Sequence, residues 1–165
     1  MYRGALRIPT VHDPERLTLD GALELGPLLL GREDLAALPP LAQVPDVGAL
    51  VTGRKGRGVR LAALLELARP TAVARYLNIA SRDPSFAVSV PLDEVRANGI
   101  VVYELDGAPL AASKGGPFRL LVAGHPDECL NVKELARLEL SPDPGRDTRP
   151  VDDAEHAALH RKHKH

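Results

Sequence analysis

A chain of 165 residues is long enough to form one domain with a substantial core. Hydrophobic residues make up 44% and charged residues 26%, which is typical of a soluble globular protein, and no run approaches the roughly 18 apolar residues of a membrane span. The net charge of -1 and the aromatic content of 3% argue against nucleic acid and anionic membranes as partners, because both attract basic surfaces and exposed bases stack on aromatic rings.

The first half of the chain predicts short strands separated by short helices. Strands are predicted at residues 17–19, 27–30 and 47–52, and Asp20-Gly21 forms the turn after the first of them. Helices are predicted at residues 32–38, before a pair of prolines, and at 60–68, where the apolar residues share one face.

The second half continues the same pattern. Strands are predicted at residues 72–80, 85–90, 100–105 and 118–122, and a short helix at 91–96 with Pro91 in its first position. Residues 135–140 fit either a strand or a helix–strand junction. Short strands mixed with short helices, without the long helices of regular βαβ units, predict the α+β class with mixed β-sheets.

The composition changes at Ser141, after which proline and aspartate are frequent. We therefore predict a domain at residues 1–140 and a linker with a His- and Lys-rich tail at 141–165. Residues 152–160 predict a short helix, on which His156 and His160 share one face. Paired imidazoles can bind a metal ion, but a solubilising tail is the more common role of such a tract.

The single cysteine, Cys129, excludes an internal disulfide and a cluster held by several thiolates. A lone thiol is most often a small core residue. The N-terminal residues contain no apolar stretch of signal-peptide length, so we expect a cytoplasmic protein.

A basic loop punctuated by glycines is the first candidate site. Four cations lie within seven positions, interleaved with Gly56 and Gly58: Arg54, Lys55, Arg57 and Arg60. Glycines let the backbone approach an anion, and a helix that begins near Arg60 would add its positive end. The loop matches neither a Walker motif nor a dinucleotide fingerprint, so a solvated turn is the plain alternative.

The second candidate site is the stretch from Ser113 to Arg119, followed at a distance by Lys133. A Gly-Gly-Pro turn fixes a sharp entry into a strand, in which Arg119 is predicted to be the second residue. An arginine held in this way can bind a phosphate with two parallel hydrogen bonds. The plain alternative is a hairpin turn with exposed charges.

Taken together, the motifs resemble the molybdopterin-binding domain of sulfite-oxidase-type oxidoreductases, from about Leu17 to Leu140. The resemblance rests on the common order of seven segments, which are Leu50-Val51-Thr52-Gly53-Arg54, Gly58-Val59-Arg60-Leu61, Ser81-Arg82-Asp83, Val90-Pro91-Leu92, Asp106-Gly107-Ala108-Pro109-Leu110, Gly115-Gly116-Pro117-Phe118-Arg119 and Asn131-Val132-Lys133. It implies the fold of that family and its cofactor, molybdopterin.

The resemblance also implies which residues contact the cofactor. Family members hold the pterin through the loop after the third strand and through an arginine and a lysine near the end of the domain. The loop backbone matches Thr52 and Gly53, the two cations match Arg119 and Lys133, and Lys114 replaces a histidine before Gly-Gly-Pro. The expected cofactor-binding residues are therefore Thr52, Gly53, Arg54, Lys114, Arg119 and Lys133.

The metal ligand of the family has no counterpart. Its cysteine falls at Leu50, or at Thr52 if the alignment is shifted, and neither side chain supplies a thiolate. We therefore expect no catalytic residue and no metal ligand, and a module that holds a pterin or another phosphorylated small molecule without redox chemistry. One alternative is a molybdenum-dependent oxidoreductase with a non-cysteine ligand such as Thr52 or water. Another is a cofactor-free domain for protein contacts, with the old pocket filled by Leu50.

Overall fold

The structure is a computed structural model that describes residues 15–149, which form two five-stranded β-sheets joined by short helices and turns. The predicted helix at residues 152–160 and the His-rich tail lie outside the described residues. Within the described part of the chain, no helix is long and apolar enough to cross a membrane.

The strands are β1 (Arg16–Gly21), β2 (Leu28–Gly31), β3 (Gln43–Val44), β4 (Arg57–Arg60), β5 (Tyr76–Ser81), β6 (Ala87–Pro91), β7 (Gly99–Leu105), β8 (Ala108–Pro109), β9 (Arg119–Val122) and β10 (Leu135–Ser141). The α-helices are α1 (Arg32–Ala36), α2 (Leu61–Ala68) and α3 (Leu92–Val95). Single 3-10 turns cover Pro40–Ala42, Val47–Ala49, Ala112–Lys114 and Glu128–Leu130.

The first sheet has the strand order β2-β1-β10-β5-β6. The ambiguous stretch at residues 135–140 is its central strand, β10, which pairs parallel with β1 and antiparallel with β5. Leu138 lies beside Leu19 on one side and Ile79 on the other, and all three are buried. The sheet therefore contributes a continuous apolar face to the main core.

The second sheet is centred on β7, which pairs with β4, β8 and β9. Five consecutive β7 residues, Gly99 to Tyr103, are buried because both faces of the strand are covered. Val101 and Tyr103 face the main core, whereas Ile100 and Val102 face a smaller apolar cluster. That smaller cluster supports the candidate site.

The predicted helix at residues 60–68 is confirmed as α2, and its apolar stripe is buried at Leu61, Leu64, Leu65 and Ala68. The helix ends at Arg69, whose backbone is left-handed with φ 56°. Amphipathic spacing was sufficient for this prediction, because one side of a helix must meet the core.

The predicted strand at residues 47–52 is wrong. Val47 is buried and begins a 3-10 turn, and the Asp46 side chain accepts a hydrogen bond from the Gly48 amide at 3.0 Å. The amides of Leu50 and Val51 both donate to the Val47 carbonyl. These local bonds replace a strand ladder, and the third strand is instead Gln43–Val44.

Part of the predicted linker packs against the first sheet. The backbone of Thr148 donates to the Ala87 carbonyl at 2.8 Å, and the Ser89 amide donates to the Asp147 carboxylate at 3.1 Å. Strand β6 is the edge of its sheet and needs such partners for its outward-facing groups. Residues 147–149 supply them.

Candidate functional site

The basic loop closes over one face of the second sheet. Its base is fixed by a hydrogen bond from the Val47 amide to the Gly56 carbonyl at 2.9 Å, and the Arg54 amide donates to the Val51 carbonyl at 3.1 Å. Val51 packs on the smaller apolar cluster, which anchors the loop to the sheet. The loop therefore presents Arg54 at a defined place on that face.

The positive end of a helix does not reach this loop. Arg57 and Arg60 are not in a loop but at the two ends of strand β4, and this strand separates Arg54 and Lys55 from α2, which begins at Leu61. Four extended residues span roughly 13 Å. The prediction that the helix near Arg60 would strengthen anion binding by the loop is therefore wrong.

Arg119 lies on the face that the loop covers. It is the first residue of β9, not the second as predicted, and it pairs with Val102 of β7. Side chains alternate along a strand, and Leu120 enters the main core while Leu121 enters the smaller cluster. Arg119 therefore points to the same side as Leu121 and the loop.

The guanidinium of Arg119 has few partners among residues 15–149. Its Nε is buried without a hydrogen-bond partner, and one Nη donates a long hydrogen bond of 3.5 Å to the Lys114 carbonyl. Burial lowers the pKa of Arg119 below its usual value, and the positive charge of Arg54 lowers it further. No carboxylate in the described part of the chain forms a salt bridge with it. The group is a partly desolvated cation whose pKa is also lowered by a second cation.

Gly115 brings Lys133 to the same place. A β-carbon at Gly115 would lie 3.2 Å from both Cδ of Arg119 and Cγ of Lys133, so these two side chains flank the glycine. The backbone there has φ 91°, a conformation that glycine adopts without strain. The Glu134 amide donates to the Gly115 carbonyl at 2.7 Å and joins the two segments.

The remaining predicted residues lie less close to the cation cluster formed by Arg54, Arg119 and Lys133. The side chain of Lys114 is exposed, and its contact with Arg119 is made by its main-chain carbonyl. Thr52 and Gly53 are exposed on the loop that carries Arg54, with open space around Gly53. The structure thus brings together Arg54, Arg119 and Lys133, with Lys114 next to them.

Sequence reasoning missed two residues that contact the segments carrying Arg119 and Lys133. Gly115 was seen only as part of a turn, and Ser81 only as part of a family motif, yet Ser81 Oγ donates to the Lys133 carbonyl at 3.0 Å. The Gly-Gly-Pro motif was a signal for the first. No local signal connects Ser81 with a residue so distant in sequence.

Leu50 lies partly at the protein surface. Its side chain is 45% exposed, so it is not packed into the protein interior. The hydrocarbon side chain also offers no atom that binds a metal. Within residues 15–149, no three His, Cys, Asp or Glu side chains lie close enough together to hold a metal ion.

Cys129 lies at the opposite end of β9 from Arg119. The segment after Cys129 runs back along β9, where the Leu120 amide donates to the Val132 carbonyl at 2.9 Å and the Val122 amide to Asn131 Oδ1 at 3.0 Å. Burial raises the pKa of the Cys129 thiol, and the carboxylate of Asp127 raises it further. Cys129 therefore supplies no thiolate to the cation cluster.

Comparison with known proteins places the chain in a family and gives a similar fold. Residues 30–148 match the family model of the oxidoreductase molybdopterin binding domain. The structure is similar to the crystal structure of the sulfane dehydrogenase SoxCD from Paracoccus pantotrophus, with a TM-score of 0.61 and 22% sequence identity. The likeness covers 81% of this chain and 40% of that one, so the chain spans less than half of that protein. No curated protein matches the sequence. These findings confirm the resemblance and the α+β fold predicted from the sequence.

Proposed function

Since the chain belongs to the family of oxidoreductase molybdopterin-binding domains, we propose that it is a binding module for a pterin or another phosphorylated small molecule. The ligand's phosphate group lies between Arg119, Lys133 and the loop that carries Arg54. No redox step takes place at a metal bound by this chain.

The observation that carries the proposal is the juxtaposition of Arg54 and a half-buried Arg119 whose Nε has no hydrogen-bond partner among residues 15–149. Two like charges in a partly desolvated place repel each other, and an unpaired buried donor costs free energy. An anion between the two guanidinium groups offsets both terms. The protein alone therefore presents an arrangement that a bound phosphate would stabilise.

The chemistry of the three cations suits a phosphate monoester. A guanidinium can donate two parallel hydrogen bonds to phosphate oxygens, and an ammonium adds a compact charge that adapts its direction. Gly53 leaves open space on the loop, so a ligand can approach the backbone there closely. Arg119 orients the phosphate and Lys133 neutralises its second charge.

The residues present fit the phosphate of the family's cofactor but not its metal. A molybdenum-loaded pterin supplies a redox centre held on its dithiolene sulfurs, and a protein thiolate is the soft ligand that such a centre takes. Position 50 holds leucine, and the hydroxyl of Thr52 is a hard, neutral donor. We therefore assign binding of the pterin phosphate to this chain and no role in ligating the metal.

The test compares three ligands by fluorescence titration and calorimetry: the metal-free oxidised pterin with its phosphate, the same pterin after phosphatase treatment, and inorganic phosphate. We expect the phosphorylated pterin to bind at least tenfold more tightly than the dephosphorylated one. Arg119→Gln should weaken it about tenfold, since a charge-assisted hydrogen bond is lost. Arg96→Gln, at an exposed arginine after α3, serves as the matched control.

Two results would count against the proposal. A protein that binds neither the phosphorylated pterin nor phosphate is not a phosphate-binding module, and the protein-contact alternative would then be favoured. Stoichiometric molybdenum in protein from a cofactor-competent host, with dye-linked redox activity, would favour the oxidoreductase with Thr52 or water as ligand. Elemental analysis of the purified protein decides the second point.

A further inference from the structure

Lys133 lies on a short segment that joins the two sheets. Before it, Val132 accepts a hydrogen bond from Leu120 of β9, and after it β10 begins at Leu135 in the first sheet. Between them, the backbone of Glu134 is left-handed with φ 50°. The chain therefore turns sharply at the point where it presents the lysine to the anion site.

Hydrogen bonds from both sheets hold this turn. From the side of the second sheet, Gly115 accepts the Glu134 amide at 2.7 Å. From the first sheet, Ser81 Oγ donates to the Lys133 carbonyl at 3.0 Å, and the Arg82 amide donates to the Glu134 carbonyl at 2.8 Å. Three bonds thus fix two consecutive peptide units.

The direction of the Ser81 hydroxyl is determined by its other partner. The Asp83 amide donates to Ser81 Oγ at 3.2 Å, so the oxygen acts as acceptor there and its proton is free for the Lys133 carbonyl. Asp83 is itself held by Ser85, whose amide and hydroxyl donate to its carboxylate at 2.9 and 2.8 Å. Ser81 is also the last residue of β5 and pairs with Leu135, so its backbone belongs to the sheet.

We propose that Ser81 is a positioning residue of the anion site: it holds the Lys133–Glu134 backbone so that the lysine stem stays beside Gly115 and Arg119. The inference rests on the proposed function, because it concerns the same phosphate. Ser81 does not touch the ligand and acts through Lys133. A lysine side chain has a flexible four-carbon stem, so fixing its backbone reduces the ordering that binding requires.

The test uses Ser81→Ala with Ser85→Ala as its matched control, because both hydroxyls bond to the turn at Asp83 but only Ser81 reaches Lys133. Titration with the phosphorylated pterin should show an affinity loss of about three- to tenfold for Ser81→Ala, the range of one neutral hydrogen bond. Ser85→Ala and the conservative Ser81→Thr should bind like the wild type. Thermal unfolding of each variant ensures that binding is measured on folded protein.

Hydrogen exchange gives a readout that needs no ligand. The Glu134 amide should exchange faster in Ser81→Ala and at the wild-type rate in Ser85→Ala. If the wild type binds the pterin and Ser81→Ala binds it with the same affinity, the positioning role is overturned and the proposed function remains intact. Equal losses in both alanine variants would assign the effect to general loosening of the turn and also overturn it. Wild-type protein without affinity for phosphate would overturn the function and the positioning role together.

Discussion

Arg54 and Arg119 lie on different segments of the chain, yet the positive charge of Arg54 adds to the effect of burial in lowering the pKa of Arg119. One arginine comes from the loop that covers the sheet and the other from the first residue of β9. Because no carboxylate within residues 15–149 forms a salt bridge with Arg119, the repulsion is not neutralised by the described protein. This relationship gives the first prediction.

Arg54→Gln should relieve the repulsion and also remove one phosphate contact. In phosphate-free buffer we expect the free energy of unfolding to rise by about 0.5 kcal/mol, a value that already allows for solvent screening at a partly exposed site. The stabilisation produced by added phosphate should become smaller. Lys55→Gln is the control for the loss of one positive charge from the same loop, because Lys55 is exposed. Thermal and urea unfolding with and without phosphate measure both effects, and an unchanged phosphate response would contradict the site.

Gly115→Ala should weaken folding and remove ligand binding. The alanine backbone would have to adopt φ 91°, and the added β-carbon would press on the side chains of Arg119 and Lys133, each at 3.2 Å. Gly107→Ala is a matched control, because its φ is 79° and, apart from its chain neighbours, no atom of residues 15–149 lies within 4 Å of the added carbon. Both should lose roughly 1–2 kcal/mol from left-handed backbone strain, but only Gly115→Ala should lose affinity for phosphorylated pterin. Equal affinities in the two variants would show that Gly115 does not organise the cations.

Leu50→Cys should allow the protein to retain a metal with the pterin. The substitution places a soft thiolate at one of the two positions, 50 and 52, to which the resemblance assigns the family's cysteine. Leu50 is already 45% exposed, so little core packing is lost. Leu67→Cys is the control, since Leu67 is 43% exposed on α2. We expect molybdenum in proportion to bound pterin only in Leu50→Cys, measured by mass spectrometry of the metal. Pterin without metal in Leu50→Cys would contradict the alignment at position 50.

Arg149 should stabilise the protein in a pH-dependent way. It donates to Asp127 at 2.8 Å and to Asp147 at 2.7 Å. Burial alone would raise the pKa of each carboxyl group, but hydrogen bonds from Arg149 and from backbone amides outweigh it, so the pKa of each lies below its usual value. The stabilisation by Arg149 is therefore complete above the pKa that these carboxyl groups have in the unfolded chain. It is lost as the pH falls through their pKa in the folded protein.

Urea unfolding of Arg149→Ala at a series of pH values tests the direction of this pH dependence. Above about pH 5 the variant should be less stable than the wild type by about 2 kcal/mol, a typical value for hydrogen bonds to charged groups. The difference should shrink below about pH 4, where protonated carboxyl groups no longer need the cation. Arg146→Ala, at an exposed neighbour, should leave the curve unchanged. A difference that stays constant down to pH 3 would rule out the ionic origin.

The sequence by itself determined the features that depend on near neighbours. The apolar stripe of α2, the continuous apolar run of β7 and the turn at Asp106-Gly107, with φ 53° and 79°, follow from local periodicity and turn chemistry. The order of the motifs was also sufficient to identify the family. Arg119 and Lys133 were found as candidate ligands because their motifs are contiguous.

Tertiary structure decided the rest. Residues 47–52 looked like a strand, but burial of Val47 and the cap from Asp46 made them a turn. Residues 147–149 looked like a linker, but the edge of β6 required hydrogen-bond partners. The meeting of Arg54 with Arg119 and the bond from Ser81 to Lys133 depend on strand pairing between distant segments. Propensity and periodicity act over a few residues, whereas the charge and hydrogen bonding of a site are set by which segments the core brings together.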